Sequence, residues 1–291
     1  MEAGTELFPG RLYSRCMRPW AREDRFTLPA DILLLKKKYG KLPMSRQVQK
    51  YFDRAADTYL EEAVIQEEAA GQCAGNIPRG YYPRVLEIGA GGGLLTRHCL
   101  ERIRAGIYLA MDVSFSMLGL LPRDSVVPVQ GDGETPPLRE GSLDLLVSSS
   151  VMQWYAGGGQ SIGRSLRLLC PGGFFSLSFF VAGTFRQMKH ISSMSGFGSV
   201  YPLPRVRECM AAMARSGTEY TSRVENYTVY YDSVQGFLKS HKGTGAGYTG
   251  RRPVFGRQCY RNFCRMYLET YGEGGRIPVD YRVLYIRGQK K

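Results

Sequence analysis

A glycine-rich segment follows a short apolar run in the first third of the chain. Glu87 stands within that run, and glycines follow at positions 89, 91, 92 and 93. Glycine permits a tight turn from a strand into a helix and lets a ligand approach the backbone closely. The N-terminus of the following helix offers free amides. The dinucleotide fingerprint G-x-G-x-x-G would need its third glycine at position 94, where Leu94 stands. The segment therefore predicts a nucleoside-binding turn of a different kind.

Two more carboxylates follow predicted strands farther along the chain. Asp112 ends the apolar run 105–111, 25 residues after Glu87. Asp132 lies between Gly131 and Gly133, three residues after the end of the run 126–129. An acidic residue at the end of the second strand of such a unit can accept hydrogen bonds from ribose hydroxyls. We therefore treat the three acidic residues as one candidate site.

This constellation resembles the class I S-adenosylmethionine-dependent methyltransferases, whose first motif is (D/E)-x-G-x-G-x-G. The resemblance implies S-adenosylmethionine as the cofactor and no metal. It implies that Glu87 orders the glycine turn or meets the methionine amine, that Asp112 binds the ribose, and that Asp132 with the Gly133 amide binds adenine. The cofactor-binding residues expected from it are Glu87, Gly89, Ala90, Gly91, Gly93, Asp112, Val113, Met117, Asp132, Gly133 and Ser148.

Four segments outside the glycine turn resemble a narrower family, the malonyl-acyl-carrier-protein O-methyltransferases of biotin synthesis. These segments are residues 51–59, 148–154, 179–185 and 238–246. The pair Gln153-Trp154 and the tract that begins at Lys242 are the most selective of them. The resemblance covers about residues 45–291. It implies a cytoplasmic enzyme that methylates the free carboxylate of a malonyl thioester on an acyl carrier protein.

A carboxylate acceptor is also consistent with the absence of a recognisable general base in the sequence. A free carboxyl group has a pKa of about 4 and is already ionised at neutral pH, so its methylation needs no general base. No Ser/His/Asp or Cys/His catalytic arrangement is recognisable in the chain. Catalysis would then consist of positioning the acceptor oxygen in line with the methyl group. The resemblance places Gln153, Trp154 and Tyr155 in the methyl-transfer pocket.

Positive charge is concentrated in the last third of the chain. The formal net charge is +13, and residues 183–291 hold 18 basic and 7 acidic residues. Arg257, Arg261 and Arg265 recur every four residues and so line one face of a predicted helix. A field of this sign attracts an acidic partner. We predict that this arginine stripe docks the acidic carrier protein, with Lys242 as a further candidate contact for the carrier or the acceptor.

The elements that must position these residues alternate between strand and helix. Such alternation predicts a parallel sheet with helices on both faces. The fold class expected is α/β, a doubly wound, mostly parallel sheet of seven strands with an N-terminal lid helix and a cap insertion. The predicted strands are 84–88, 105–111, 126–129, 142–148, 174–180, 227–231 and 278–286. The predicted helices are 45–75, 94–104, 116–121, 163–169, 205–215, 233–241 and 253–271, the last with Pro253 near its first turn.

The predicted organisation has five parts. They are an extension (1–43), a lid helix (44–80), the cofactor-binding core (81–182), a cap or substrate region (183–250), and a docking helix with the final strand (251–291). Residues 183–200 are rich in glycine, serine and methionine, which predicts an insertion outside the core layers. Because family members usually begin where Met44 stands, we expect Met44 to be the native start.

Composition excludes several other classes of protein. Seven cysteines without CxxC spacing and three unpaired histidines argue against a disulfide framework or a zinc site. No apolar run reaches the roughly 18 residues of a membrane span, and no signal peptide is recognisable. The chain would therefore contact neither membranes nor metals.

Two alternatives to the narrow family stay open at this point, and no nucleic-acid partner is expected. A quinone C-methyltransferase would need a base and a lipophilic pocket. A nucleic-acid methyltransferase would suit the net charge, but residues 148–151 read Ser-Ser-Ser-Val in place of a base-flipping tetrad. A cofactor-binding assembly factor without methyl transfer is the second open alternative. Whether the malonyl group would be carried by the carrier protein or by coenzyme A is also undecided by the sequence.

Overall fold

Strands and helices alternate along most of the chain, and eight strands form one sheet. The computed structural model describes residues 5–7, 43–249 and 256–291. The strands are β1 (Thr5–Leu7), β2 (Gly80–Ile88), β3 (Ile103–Asp112), β4 (Val127–Gln130), β5 (Leu143–Ser149), β6 (Leu169–Phe180), β7 (Ala182–Phe185), β8 (Thr218–Tyr231) and β9 (Ile277–Lys290). The helices are α1 (Pro43–Ala55), α2 (Tyr59–Glu62), α3 (Val64–Gly75), α4 (Leu94–Arg102), α5 (Phe115–Leu118), α6 (Gly158–Leu166), α7 (Arg186–Ser195), α8 (Val206–Met213), α9 (Val234–Gly243) and α10 (Arg257–Tyr271). None of the helices in these described ranges has the length and apolar character of a bilayer-crossing segment.

The strand order places a ligand crevice next to the glycine turn. The order is β1-β8-β9-β6-β5-β2-β3-β4, with β9 antiparallel to both neighbours and the other pairs parallel. The predicted doubly wound sheet of seven strands is confirmed, and β1 adds a three-residue eighth strand at one edge. From β2 the chain builds outward through β3 and β4, then crosses to β5 on the other side. Open α/β sheets bind ligands at such a switch point, outside the carboxyl ends of the strands.

The central strands are buried on both faces because helices cover both faces of the sheet. Successive strand residues point to opposite sides. Leu86, Leu109 and Leu146 therefore join one apolar cluster, whereas Val85 and Leu145 join the cluster on the other face. This two-sided burial accounts for the continuous apolar runs that identified these strands in the sequence.

A third apolar cluster lies where α7, α9 and α10 cover the β8–β9 end of the sheet. Ile191 of α7, Phe237 of α9 and Phe263 of α10 are fully buried there. The expectation that residues 183–200 stand outside the core layers was therefore wrong for α7. Met188 and Ile191 lie three residues apart and form a narrow buried face, which the surrounding glycines and serines concealed.

The predicted single helix over residues 45–75 is divided into α1, α2 and α3. Residues 56–58 form a turn after α1, and the Thr58 hydroxyl donates to the Gly243 carbonyl at 3.0 Å. Ala63, between α2 and α3, has the non-helical angles φ −86° and ψ 46°. Helical spacing persists through both breaks, so the sequence pattern could not reveal them. After the breaks, α1 packs against α5, whereas α3 packs against α4 and the sheet.

Several other element boundaries also differ from the prediction. β6 begins at Leu169, five residues before the predicted start, and α6 ends at Leu166. β8 begins at Thr218 because it pairs with β9 along its whole length. α10 begins at Arg257, with Gly256 as its N-cap, and the predicted first-turn residue Pro253 lies outside the described residues. β6 and β8 are longer than predicted because they pair with strands that are distant in the sequence. Local sequence does not encode such pairing.

Substitution of Gly288 by alanine should destabilise the β8–β9 pair. A Cβ on Gly288 would lie 2.0 Å from the Glu219 carbonyl oxygen and 2.8 Å from the Tyr220 Cα. Both atoms are backbone and cannot swing away, so we expect the free energy of unfolding in urea to fall by about 1–3 kcal/mol. Gly80→Ala is the matched control, because a Cβ at that strand glycine meets nothing within 4 Å. Equal losses in the two variants would contradict this packing.

Candidate active site

The glycine turn after β2 is held between two other strand ends. Gly89 (φ 74°), Gly91 (φ 53°) and Gly93 (φ 87°) all have left-handed backbone angles that favour glycine. The Gly89 and Ala90 amides donate to the Met111 carbonyl of β3 at 2.7 and 2.9 Å. A Cβ on Gly89 would lie only 2.0 Å from a Val151 methyl carbon, just beyond β5. Only glycine fits at position 89.

Asp112 ends β3 and faces the same turn. One carboxylate oxygen accepts the Gly91 amide at 2.9 Å and the other accepts the Ser114 amide at 2.8 Å. The Ser114 hydroxyl in turn donates to Asp53 of α1 at 2.5 Å. Burial, opposed by these hydrogen bonds and aided by the nearby Asp53 charge, raises the pKa of Asp112 to about 6. Asp112 therefore remains an ionised acceptor at neutral pH.

Glu87 lies beneath the turn and does not line a cavity wall. One of its oxygens accepts the hydroxyls of Thr96 on α4 and Tyr108 on β3, both at 2.7 Å. Its other oxygen is buried without a hydrogen-bond partner among the described residues. Burial raises the pKa of Glu87 to about 7. The carboxyl group thus ties α4 and β3 to the strand that carries the turn.

Asp132 and Gly133 form the third side of this region. An Asp132 oxygen accepts the Glu134 amide at 2.9 Å. The Tyr155 hydroxyl donates to the Gly133 carbonyl at 2.7 Å. Glu134, which the sequence did not single out, accepts the Ala156 and Gly157 amides at 2.9 and 2.7 Å. These contacts join the segment after β4 to the segment after β5.

A cavity of about 800 Å³ lies between these segments. Asp112 and Asp132 offer carboxylate acceptors, whereas Ile88, Val113 and Trp154 offer apolar surface. A nucleoside needs acceptors for its ribose hydroxyls and adenine amine, and apolar walls for its ring. The residues present therefore fit the nucleoside part of S-adenosylmethionine.

A second cavity of about 870 Å³ adjoins the first. The two share Phe52, Tyr59, Ser150 and Trp154 in their walls. Aromatic rings dominate the second cavity: the Trp154 ring centroid lies 4.8 Å from that of Tyr201 and 6.3 Å from that of Phe52. A mostly apolar chamber therefore meets the nucleoside cavity at a shared wall.

Three buried polar atoms at this shared wall have no hydrogen-bond partner among the described residues. They are the Ser150 Oγ, the Gln153 Oε1 and the Trp154 Nε1. The Gln153 amide nitrogen is engaged, because it donates to the Ser150 carbonyl at 2.7 Å. Buried polar atoms are normally satisfied, so three together at the junction of two cavities indicate a ligand-binding position.

His241 of α9 lines the second cavity but carries no charge at neutral pH. Its ring packs against Phe185 and Phe237, with centroid distances of 4.8 and 6.0 Å. Burial lowers the pKa of His241 to about 4. The ring therefore contributes a neutral wall.

The structure brings most of the expected site residues together, but not all line the cavities. Gly89, Gly91, Asp112, Val113, Asp132, Gly133, Trp154 and Tyr155 line the nucleoside cavity, and Gln153 lines the second cavity. Ala90, Gly93, Met117 and Ser148 do not line the nucleoside cavity. The Ser148 hydroxyl donates to the Ile88 carbonyl at 2.9 Å. Within the described residues no group of three or more His, Cys, Asp or Glu side chains is placed to hold a metal ion.

The residues proposed for partner binding lie elsewhere. Lys242 is exposed in the last turn of α9 and does not line the second cavity, although His241 and Thr244 do. Arg257, Arg261 and Arg265 are all exposed on α10, and Arg265 forms an ion pair with Glu269 at 3.5 Å. The helical spacing thus located the exposed face of α10 correctly.

Sequence reasoning missed several residues of the second cavity. Tyr201 and Tyr248 lie in irregular segments without periodicity, so no local signal pointed to them. Ser150 had a usable signal, because it directly follows β5 at the ligand-binding edge of a parallel sheet.

Comparison with known proteins agrees with this geometry. Residues 86–177 match the family described as a methyltransferase domain. A malonyl-[acyl-carrier protein] O-methyltransferase of Geobacter sulfurreducens is 28% identical over 264 residues, which cover 84% of this chain and 98% of the relative. The protein of the same name from Magnetococcus marinus is 30% identical over 253 residues, which cover 82% of this chain and 90% of the relative.

A solved structure shows the same fold at lower identity. The YcgJ protein from Bacillus subtilis has a TM-score of 0.55 and 17% identity, and the match covers 77% of this chain and 98% of that protein. At this identity the likeness supports the fold alone, whereas the Magnetococcus relative aligns with this chain over most of both sequences. The predicted family is therefore confirmed, and the chain belongs to the malonyl-[acyl-carrier protein] O-methyltransferases, which are S-adenosylmethionine-dependent enzymes.

Proposed function

We propose that this enzyme methylates the free carboxylate of a malonyl thioester carried by an acyl carrier protein, the reaction that primes pimeloyl synthesis for biotin. The observation that carries the proposal is the meeting of two cavities at one wall. The nucleoside cavity is bounded by the methyltransferase motif, and the second cavity is apolar and shares Ser150 and Trp154 with it. The names of the relatives support malonyl-carrier as the acceptor.

The cofactor-binding roles follow from the contacts in the first cavity. Each Asp112 oxygen accepts one backbone amide and keeps a second lone pair for a ribose hydroxyl. Asp132, Gly133 and Val113 line the same cavity, and we assign Asp132 and the Gly133 amide to the adenine edge and Val113 to its ring face. Of the two roles expected for Glu87, its contacts with Thr96 and Tyr108 favour ordering of the turn.

The chemistry asks the protein to position groups and exclude water. S-adenosylmethionine supplies a methyl group on a sulfonium sulfur, which an ionised carboxylate accepts without releasing a proton. Gln153 holds the Ser150 carbonyl and so shapes the wall between the cavities. Trp154, Phe52 and Tyr201 form an aromatic surface that keeps water from the junction. Tyr155 positions Gly133 through its hydroxyl.

Helix α1 serves as the lid in this proposal. Val48 and Phe52 line the nucleoside cavity, and Asp53 accepts the Ser114 hydroxyl beside Asp112. On the other side Phe52 packs closely on Gly245, where an added Cβ would approach a Phe52 ring carbon to 2.8 Å. The helix therefore covers both cavities through contacts with both.

Helix α10 is the proposed docking element for the carrier. It packs against α7 and α9, which contribute Met188 and His241 to the acceptor cavity. Phe263 and Tyr267 are buried beneath it, so its arginines point outward. A carrier held on this face would lie beside the cavity that must receive its malonyl group.

The assay that tests the proposal is transfer of label from S-adenosylmethionine to three acceptors. We expect malonyl-acyl carrier protein to be labelled, acetyl-acyl carrier protein to remain unlabelled, and malonyl-coenzyme A to be a poorer acceptor because it lacks the docking surface. No label on either malonyl thioester, with S-adenosylhomocysteine binding intact, would overturn the proposed acceptor. Preferential labelling of the coenzyme A thioester would remove the carrier from the proposal.

The affinity for S-adenosylhomocysteine should depend on the ionisation of Asp112. Its raised pKa means that the carboxyl gains a proton as the pH falls through about 6. The protonated form accepts hydrogen bonds poorly, so we expect the Kd to increase by up to roughly tenfold per pH unit below that value. Calorimetric titration between pH 5 and 8 measures this, and Asp112→Ala should weaken binding roughly a hundredfold at pH 7.5.

Two variants control this interpretation. Asp53→Asn removes the neighbouring negative charge while keeping an acceptor for Ser114, so the onset of weakening should move to lower pH. Asp124→Asn changes an exposed carboxylate that lines neither cavity and should leave the profile unchanged. A Kd that stays constant across this range would remove Asp112 from the ribose site.

Reversal of the charge of the arginine stripe should weaken binding of the carrier protein without changing binding of the cofactor. With Arg257, Arg261 and Arg265 all replaced by glutamate, we expect the KM for malonyl-acyl carrier protein to rise at least about tenfold, since like charges then oppose docking. The Kd for S-adenosylhomocysteine should not change. The matched control replaces the exposed Arg79, Arg104 and Arg123 by glutamate, which alters net charge equally away from α10. Equal KM changes in both variants would reject α10 as the docking site.

A further inference from the structure

Ser150 has a backbone conformation that its residue type disfavours. Its φ is 59°, and among the described residues the only other non-glycine with a positive φ is Phe185. The Ser150 backbone amide donates to the Ser178 carbonyl at 2.8 Å, and the Ser150 carbonyl accepts the Gln153 side-chain Nε2 at 2.7 Å. Left-handed residues with a side chain persist only where surrounding contacts impose them, and they occur preferentially at functional sites.

The hydroxyl of Ser150 differs from those of the two serines before it. The Ser148 hydroxyl donates to the Ile88 carbonyl, and the Ser149 hydroxyl accepts the Ser178 hydroxyl at 2.9 Å. The Ser150 Oγ is buried and unpartnered among the described residues. The left-handed turn places Ser150 in the walls of both cavities.

The indole of Trp154 supplies a second donor at the same wall. Its Nε1 is buried and has no acceptor among the described residues. An indole N–H can only donate, so the group that completes it must be an acceptor. Trp154 lines both cavities, so a ligand at their junction can supply that acceptor.

Among the residues that the structure describes, the acceptor cavity offers no cation to a carboxylate, and its lining includes one acidic residue, Glu62. Its described lining residues include neither lysine nor arginine, and His241 is neutral. An ion pair would stabilise the full negative charge of the reactant, and that charge is lost as the methyl group transfers. Interactions that favour the ground state over the transition state slow the chemical step. Neutral hydrogen-bond donors orient the carboxylate oxygen and stabilise the ground state less than an ion pair would.

We infer that the Ser150 hydroxyl and the Trp154 indole N–H hold the acceptor carboxylate at the cavity junction, in place of a cationic residue. This inference rests on the proposed function. A carboxylate oxygen uses a lone pair to form the bond to the methyl carbon, the carbon–sulfur bond breaks, and its electron pair remains on sulfur. The carboxylate and the sulfonium both become neutral, and no proton moves. Ser150 thereby becomes a substrate-binding residue.

The test measures binding in the presence of S-adenosylhomocysteine, where no turnover occurs. Malonyl-acyl carrier protein and acetyl-acyl carrier protein are titrated into wild type, Ser150→Ala, Ser150→Gly and Trp154→Phe. We expect each variant to bind the malonyl carrier about tenfold or more weakly, the loss typical of one hydrogen bond to a charged group. The acetyl carrier lacks the carboxylate and should bind all four proteins alike.

Ser150→Gly separates binding from backbone strain. Glycine adopts this φ without penalty, so its urea midpoint should equal or exceed that of wild type, while malonyl-carrier affinity falls as in Ser150→Ala. Ser192→Ala is the matched control, because Ser192 carries another buried, unpartnered hydroxyl among the described residues and lines neither cavity. It should bind the malonyl carrier as wild type does.

Each other outcome overturns the inference in a recognisable way. Ser150 and Trp154 would act only structurally if the variants bound the malonyl carrier as tightly as wild type. The same conclusion would follow if Ser150→Gly alone had wild-type affinity, or if the variants lost equal affinity for the acetyl carrier. Failure of the proposed function is visible in wild type alone, as absence of methyl transfer to the malonyl carrier, and it would remove this inference as well.

Discussion

The contact between Gly89 and Val151 sets the geometry of the whole site. The end of β2 and the segment after β5 approach so closely that a Cβ on Gly89 would lie 2.0 Å from a Val151 methyl carbon. The amides of Gly89 and Ala90 also donate to the Met111 carbonyl, which joins the turn to β3. Three strand ends are therefore fixed against one another. Asp112, Ser150 and Trp154 owe their relative positions to this packing.

Charge is divided between the two cavities in a way that suits methyl transfer from a cation. Burial raises the pKa of Glu87 to about 7 and that of Asp112 to about 6, so ionisation of either carboxyl group costs desolvation free energy. A positively charged ligand would relieve that cost. The acceptor cavity is mostly apolar, with Glu62 as its acidic lining residue and His241 neutral. On the proposed function, the donor side favours a cation and the acceptor side leaves a carboxylate reactive.

Agreement between sequence and structure is best where the signal is local. The glycine spacing, the carboxylates at strand ends and the apolar runs of β2, β3 and β5 depend on residues close together in the chain. Gly89, Gly91, Asp112 and Asp132, which these patterns singled out, line one cavity in the structure. The first predicted helix is broken at residues 56–58 and at Ala63. No local sequence signal marks these breaks, because the apolar residues keep helical spacing through both. The sequence pattern did not predict the buried face of α7 for a similar reason. Two apolar residues among serines and glycines are too few to show helical periodicity.

By itself the sequence determined the doubly wound sheet, the methyltransferase motif and its family, and the exposed arginine face of α10. Periodicity and motif spacing encode these features, and both act over a few residues. Only the tertiary structure decided that two cavities share a wall, that Ser150 adopts a left-handed turn, and that the buried polar atoms of Ser150, Gln153 and Trp154 lack partners there. Burial and hydrogen-bond satisfaction depend on segments more than a hundred residues apart, such as α1 and the tract after α9, which meet only when the chain folds.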